Sequence, residues 1–310
     1  MKNLTDNTSL GKMILLCNVV VLVLFIISMI FLMKFDKTNT AVIQERNHYN
    51  NLYESYAMAQ HPLKQDSAEV AYYQYKLDTL QKKTAATKDE KKALAESIEV
   101  TKQTLSDKTK QQADNLAKLA ELEEEFAPAQ QNWDQLNADN AAAKTKFWVI
   151  ALITVIAFLI KTFLFARWGA KNNQNLQNIA SWMKNGMKPW MSYVAWFVPI
   201  YNLIKPLSFF KEVWNETDYC LAESGAVTRD PEAIDNSNIY MSIWWAFLLI
   251  SVWIMNAVLF FTFFREGAFY VKANHGTMVV VAIIIMVITM ALEAYLILQY
   301  NKKNKQLLEK

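Results

Sequence analysis

MILLCNVVVLVLFIISMIFLM, residues 13–33, is an uncharged apolar run of about 21 residues, the length that crosses a bilayer core. Lys2 and Lys12 precede it and Lys34 closes it. A secretory signal would have a shorter apolar core and a small-residue cleavage site. Here Lys34, Phe35, Asp36 and Lys37 follow, so the run reads as an uncleaved anchor. Three further runs are long enough to span: Phe147–Phe165, Ile239–Phe264 and Met278–Leu298. A helix satisfies its own backbone and is the open-ended way across lipid. Trp148, Trp168, Trp244, Trp245 and Tyr300 lie near the ends of these runs, where amphipathic rings favour the headgroup zone.

A fifth apolar stretch, residues 190–204, holds Pro199 and is closed by Pro189 and Pro206. It is short, and proline removes a backbone donor and clashes with the preceding turn. The expectation is a re-entrant or interfacial segment. Lysine and arginine counts agree, because basic flanks mark the cytoplasmic side. The tail carries Lys302, Lys303, Lys305 and Lys310, and the stretch after the second run carries Arg167, Lys171, Lys184, Lys188, Lys205 and Lys211. Four spans place both ends inside, as in a bacterial inner-membrane protein.

Residues 35–146 are then extracytoplasmic. No glycine occurs between Gly11 and Gly169, and Ala, Lys, Gln, Glu and Leu dominate the region. Apolar residues at Val70, Tyr73, Leu77, Leu80, and again at Leu116, Leu119, Leu122, Phe126, Ala129, Trp133 and Leu136, take heptad-like steps. Both ends run into membrane helices, so the chain turns back. Lys83–Asp89 is the best turn, with Thr87 and Glu90 as a capping box for the returning helix. Gln60-His61-Pro62 predicts a break, Asp66 and Glu69 a capped restart, and Pro128 a second break or kink. The expected product is an antiparallel helical hairpin, a coiled coil whose seam is buried within the hairpin or offered to a partner. On the inner side, residues 206–222 predict an amphipathic helix, with Leu207, Phe210, Trp214 and Leu221 on one face. Pro206 can open it. Asp230-Pro231-Glu232 predicts a further short helix, and Asn236, Ser237 and Asn238 a cap for the third span.

The fold class is therefore an all-α integral membrane protein: residues 1–34 as N-terminus and first span, 35–146 as hairpin, 147–310 as membrane domain with three spans. Trp196-Phe197-Val198-Pro199-Ile200-Tyr201-Asn202-Leu203, then Pro206 and Trp214, resembles the hallmark of domain-of-unknown-function family 4328 (DUF4328). Trp168 with Asn172 or Asn173 matches the family's aromatic and asparagine after its first span. The resemblance covers about residues 145–300 and implies a membrane domain with one span before the hallmark and two after. It implies no activity. The first span and the arm look like an added module.

Each candidate site has a plainer reading. Pro199 and Asn202 could line a cavity of the kind made by broken transporter helices, or form a wedge that docks the amphipathic helix. Lys161 and Glu293 lie at similar depth, about one turn inside the cytoplasmic end of their spans. They either pair inside the bundle or, the commoner outcome, snorkel to headgroups and water. Asn256, mid-span, suits an interhelical hydrogen bond better than a ligand site. Arg265, Glu266, Lys272, Asn274 and His275 make a polar outer loop. His48 and His61 are isolated surface residues without metal-ligand spacing.

The 310-residue chain carries a net charge of +3, too little for a nucleic-acid binder. Its two cysteines, Cys17 and Cys220, are far apart and suit neither a zinc site nor a disulfide framework. No HExxH, GxSxG or Walker loop occurs, so the sequence points to no enzyme, metal or cofactor. The leading expectation is a membrane-anchored interaction or scaffold protein, its arm binding a protein partner or a second copy. The rivals are an extracytoplasmic sensor that signals to a separate partner, and a small-molecule transporter at Pro199–Asn202.

Overall fold

A computed structural model describes residues 4–180, 186–198, 201–226, 239–263 and 275–309. They form α1 (Thr8–Gln81), α2 (Lys88–Ile179), α3 (Met191–Phe197), a 3-10 turn (Tyr201–Leu203), α4 (Lys205–Glu223), α5 (Ile239–Phe263) and α6 (His275–Leu308). No strand occurs among the described residues. α1, α2, α5 and α6 each hold a stretch long and apolar enough to cross a membrane. The chain divides into two compact units, one of residues 1–36 with 143–310 and one of residues 37–142. α1 and α2 contribute to both.

The 37–142 unit is two helices running antiparallel. Thr38 Oγ1 donates to Asn140 Oδ1 at 3.0 Å, and Lys108 meets Glu69 at 2.7 Å. The less exposed positions step by three and four residues along α1, through Val42, Glu45, Tyr49, Leu52, Tyr56, Ala59, Leu63, Asp66, Val70, Tyr73 and Leu77. α2 shows the same steps from Leu94 to Leu136. Rings stack at one end of this line. Tyr49 lies 5.0 Å from Trp133, with planes 6° apart, and Tyr56 lies 4.6 Å from Phe126. Leu116 is exposed, and Asn115 takes its place in the line.

Two readings of this unit change. α1 continues through Pro62 with no break, and at Pro128 α2 is likewise unbroken, so of the expected break or kink there is no break. The carbonyls that lose a donor belong to Met58 and Glu124, and both residues are exposed, so water can take the missing bond. Asp66 caps nothing. It is buried in mid-helix and clasps α2, accepting from Asn115 Nδ2 at 2.7 Å and Gln111 Nε2 at 3.1 Å. The turn itself has the reciprocal geometry of a capping box. Glu90 N donates to Thr87 Oγ1 at 3.3 Å, while Thr87 N and Ala86 N donate to Glu90 Oε2 at 3.1 and 3.0 Å.

In the other unit the apolar stretches of α1, α2, α5 and α6 pack around two core clusters. One holds Ile14, Phe165, Trp168, Trp214, Trp244 and Ile297, the other Phe25, Met29, Phe147, Val258 and Val279. The opposite faces expose Leu16, Leu152, Ile250, Ile284 and Leu298, an outward surface suited to lipid. Trp168, Trp244, Trp245 and Tyr300 form no belt at the surface; they are buried against one another, and only Trp148 of the five faces out. α4 follows the same logic. Its apolar face does not lie open towards lipid but packs through Phe209, Phe210, Val213, Trp214 and Leu221 into the bundle.

Candidate functional site

The membrane-type unit carries polar side chains at three levels between α1, α2 and α6. At the end where α1 begins, asparagines interlock. Asn7 Nδ2 donates to Asn172 Oδ1 at 2.8 Å, and Asn175 holds Thr5 by its backbone N–H and carbonyl at 3.0 and 2.8 Å. Asn175 also reaches Asn304, and Trp168 Nε1 donates to Asn301 Oδ1 at 3.2 Å. Gly11 lies against the Asn301 amide, so only a residue without Cβ permits that approach. Asn173 is fully buried here, with neither side-chain atom hydrogen-bonded among the described residues.

The second level is ionic. Lys161 Nζ and Glu293 Oε2 are 2.8 Å apart, and the two residues are 4 % and 1 % exposed. The structure therefore brings the pair together inside the bundle, with Lys161 also 5.2 Å from the Phe158 ring centre. Asn18 belongs to this level by register. Thr5 meets Asn175, Asn7 meets Asn172 and Ser28 meets Thr154, which sets residue 18 opposite residues 161–164. Asn18 and Thr162 are buried, and Asn18 Nδ2, Asn18 Oδ1, Thr162 Oγ1 and Glu293 Oε1 have no hydrogen-bond partner among the described residues. The third level is the Ser28–Thr154 hydroxyl pair at 3.0 Å. Around it lies an apolar cavity of about 250 Å³ lined from all four helices, including Val21, Phe25, Ala151, Phe158, Met255 and Met286.

The hallmark residues lie beside the aromatic core. Trp196 packs edge-on to Phe165 at 5.7 Å and Trp245 at 5.9 Å. Pro206 is buried in the first turn of α4. Trp214 lies under Lys303, whose Nζ is 4.5 Å from its ring centre and pairs with Asp218. The Asn202 backbone N–H donates to Val198 O at 2.9 Å, and Trp245 Nε1 bonds Leu203 O at 3.1 Å, which ties the turn to α5. Pro199 lies outside the described residues, as do Arg265, Glu266, Lys272, Asn274 and the expected short helix and cap at residues 230–238. A cleft of about 150 Å³ next to the turn is lined by Trp190, Val194, Tyr201 and Lys205 among others, and Asn202 is not among its walls. Among the described residues Asn256 makes no hydrogen bond to another helix. The residue is exposed and its Nδ2 donates to Val252 O of its own helix at 2.9 Å. Among the described residues no cluster of His, Cys, Asp and Glu suits a metal ion.

Cys220 is buried in α4, and burial foremost, then the Glu216 and Glu223 charges, push its thiol up to about 11, which favours the protonated thiol over the thiolate. Sequence reasoning missed Asn7, Asn18, Thr162, Asn175 and Asn304. Asn18 had a local signal, a lone amide within an uncharged apolar run.

Helices of this length and apolarity, packed around buried polar contacts, define a class: an all-helical protein of the multi-pass membrane type. Within that class the chain belongs to the DUF4328 family, described as a domain of unknown function, whose family model matches residues 134–302, more than half of the chain. No curated protein and no solved structure matches it.

Proposed function

We propose that the protein is a non-enzymatic, membrane-anchored interaction protein whose helical hairpin binds a protein partner or a second copy. The chain ends and residues 167–238 lie on the cytoplasmic side, the hairpin lies outside, and residues 190–204 are a re-entrant or interfacial segment on the inner side. One observation carries the reading. A two-helix unit buries a single line of side chains on each helix, and large apolar residues remain exposed off that line. Met58 and Tyr75 are each 72 % exposed, and Tyr53, Tyr72, Val100 and Leu116 are more than half exposed. Buried steps of three and four residues support a coiled coil, the geometry by which helices recruit further helices. A partner helix or a second copy would cover such residues, which the hairpin leaves exposed by itself.

The test is purification of the full chain and of a Thr40–Ala143 deletion in nanodiscs, with mass spectrometry and mass photometry of each. A defined protein, or a dimer, present with the full chain and lost with the deletion supports the reading. Two monomers with nothing attached remove it.

A further inference from the structure

We propose that the outward face of α5 joins two copies of this chain through Asn256. The contact goes beyond the interaction reading of the hairpin and does not depend on it. α5 carries no charged residue, yet its outward face holds two side chains that need hydrogen bonds. Asn256 is exposed and lies about eight residues, or ~12 Å, inside the end of the apolar run at Phe264, within a hydrocarbon core of about 30 Å. Among the described residues its one hydrogen bond runs from Nδ2 to Val252 O of its own helix at 2.9 Å. The amide oxygen and one amide hydrogen are left without a partner. Trp253 lies about one turn away on the same face, near the middle of the run, and is 76 % exposed. An indole favours the headgroup zone, because hydrocarbon offers its N–H no acceptor. Lipid against this face would leave both groups unsatisfied.

The carboxamide selects the occupant. It is donor and acceptor at once, so it is its own complement, and two of them pair by reciprocal N–H···O bonds. Two copies inserted the same way carry Asn256 at the same depth, and a two-fold axis along the membrane normal brings the amides together. The exposed residues Ala246, Ile250, Trp253 and Asn256 step by three and four along one side of α5, the spacing of a helix–helix seam. Ala246 is small enough to let the two backbones approach. One asparagine in such a seam fixes the register of a two-stranded pair. With no charge on α5, no like-charge repulsion opposes the approach.

The experiment reads Förster transfer between donor- and acceptor-tagged full chains in phosphatidylcholine liposomes, over a range of protein-to-lipid ratios. Asn256→Leu is expected to raise the dissociation constant about tenfold, the worth of one or two interhelical hydrogen bonds. Asn256→Gln, which keeps the amide, retains the dimer. Leucine is at home in lipid, so Asn256→Leu leaves the span itself intact. A second readout keeps Asn256 in place. In a chain without its two native cysteines, Ile250→Cys on α5 should cross-link between copies on oxidation, and Leu152→Cys on the outward face of α2 should not. The α5 dimer survives the Thr40–Ala143 deletion, whereas a dimer made by the hairpin is lost with it, which separates failure of this contact from failure of the hairpin reading. A full chain that stays monomeric at every ratio overturns the proposal, as does a dimer indifferent to Asn256→Leu or equal cross-linking at residues 250 and 152.

Discussion

Removing one partner of the Lys161–Glu293 pair should cost far more than removing both. At 2.8 Å and an effective dielectric of about 20, the Coulomb attraction is about 6 kcal/mol. Desolvation of both groups takes back most of that, so the pair as a whole contributes little against a well-packed apolar replacement. The partner left alone is a different matter. Glu293→Gln preserves shape and one acceptor but leaves the ammonium buried without a counter-charge, and breaking a buried pair costs about 3–5 kcal/mol. Lys161→Met, which strands the carboxylate, should cost the same order. The double variant Lys161→Met/Glu293→Met should return to within about 1 kcal/mol of the parent, a coupling of at least about 3 kcal/mol. Reversible unfolding by sodium dodecyl sulfate in mixed micelles, followed by tryptophan fluorescence and far-ultraviolet circular dichroism, reads all four proteins. A Glu293→Gln variant within about 1 kcal/mol of the parent, or additive single costs in the double, would show that the two side chains reach water separately and refute the reasoning.

Two further outcomes follow from the packing. The Glu90 carboxyl is held below its ordinary value by the Thr87 and Ala86 N–H bonds, so its contribution to the hairpin turn is complete above pH 4.5 and is lost as the pH falls through the lower folded value; amide exchange at Ala86 and Thr87, corrected for its intrinsic pH dependence, should speed up selectively on acidification, and not in Glu90→Gln. Gly169→Ala would bring a Cβ to 2.9 Å from the Phe210 ring and from Ser192 Oγ, which bonds Ala166 O at 2.8 Å; overpacking of that kind costs about 1–3 kcal/mol, and faster alkylation of buried Cys220 on the same α4 would report its displacement.

The spans were legible because length and apolarity are local properties, and a run such as Met13–Met33 needs no partner to be recognised. The turn was legible for the same reason: Thr87 and Glu90 are three residues apart and cap each other. Asp66 and Glu69 have the same spacing and an identical local signature, yet Asp66 bonds Asn115 and Gln111, on the far arm. Local pattern cannot distinguish a cap from a clasp when the competing partner arrives from 49 residues away. Proline misled in a related way, because its cost depends on whether the carbonyl it strands faces water. For Lys161 and Glu293, depth along each span was readable, but the register of α2 against α6, which decides between pairing and snorkelling, was not. The buried tryptophans show the limit of positional rules: Trp244 and Trp245 sit where belt residues sit, and neighbouring helices cover them.

Polar levels explain why this bundle has one arrangement. Between apolar helices in lipid there is little hydrophobic drive to associate, and packing with interhelical hydrogen bonds sets the register. Here the asparagine end, the Lys161 level and Ser28–Thr154 follow one another along α2 at intervals of ~11 residues and then ~7, about 16 and 10 Å. α1 supplies a member to each level, by contact through Asn7 and Ser28 and by register through Asn18. Yet α1 lies wholly outside residues 134–302. The segment that the sequence presents as an addition to the family domain is thus a structural member of it. Without α1, Asn172 and Thr154 would each lose a bonded partner, and Asn175 would lose Thr5 just before it.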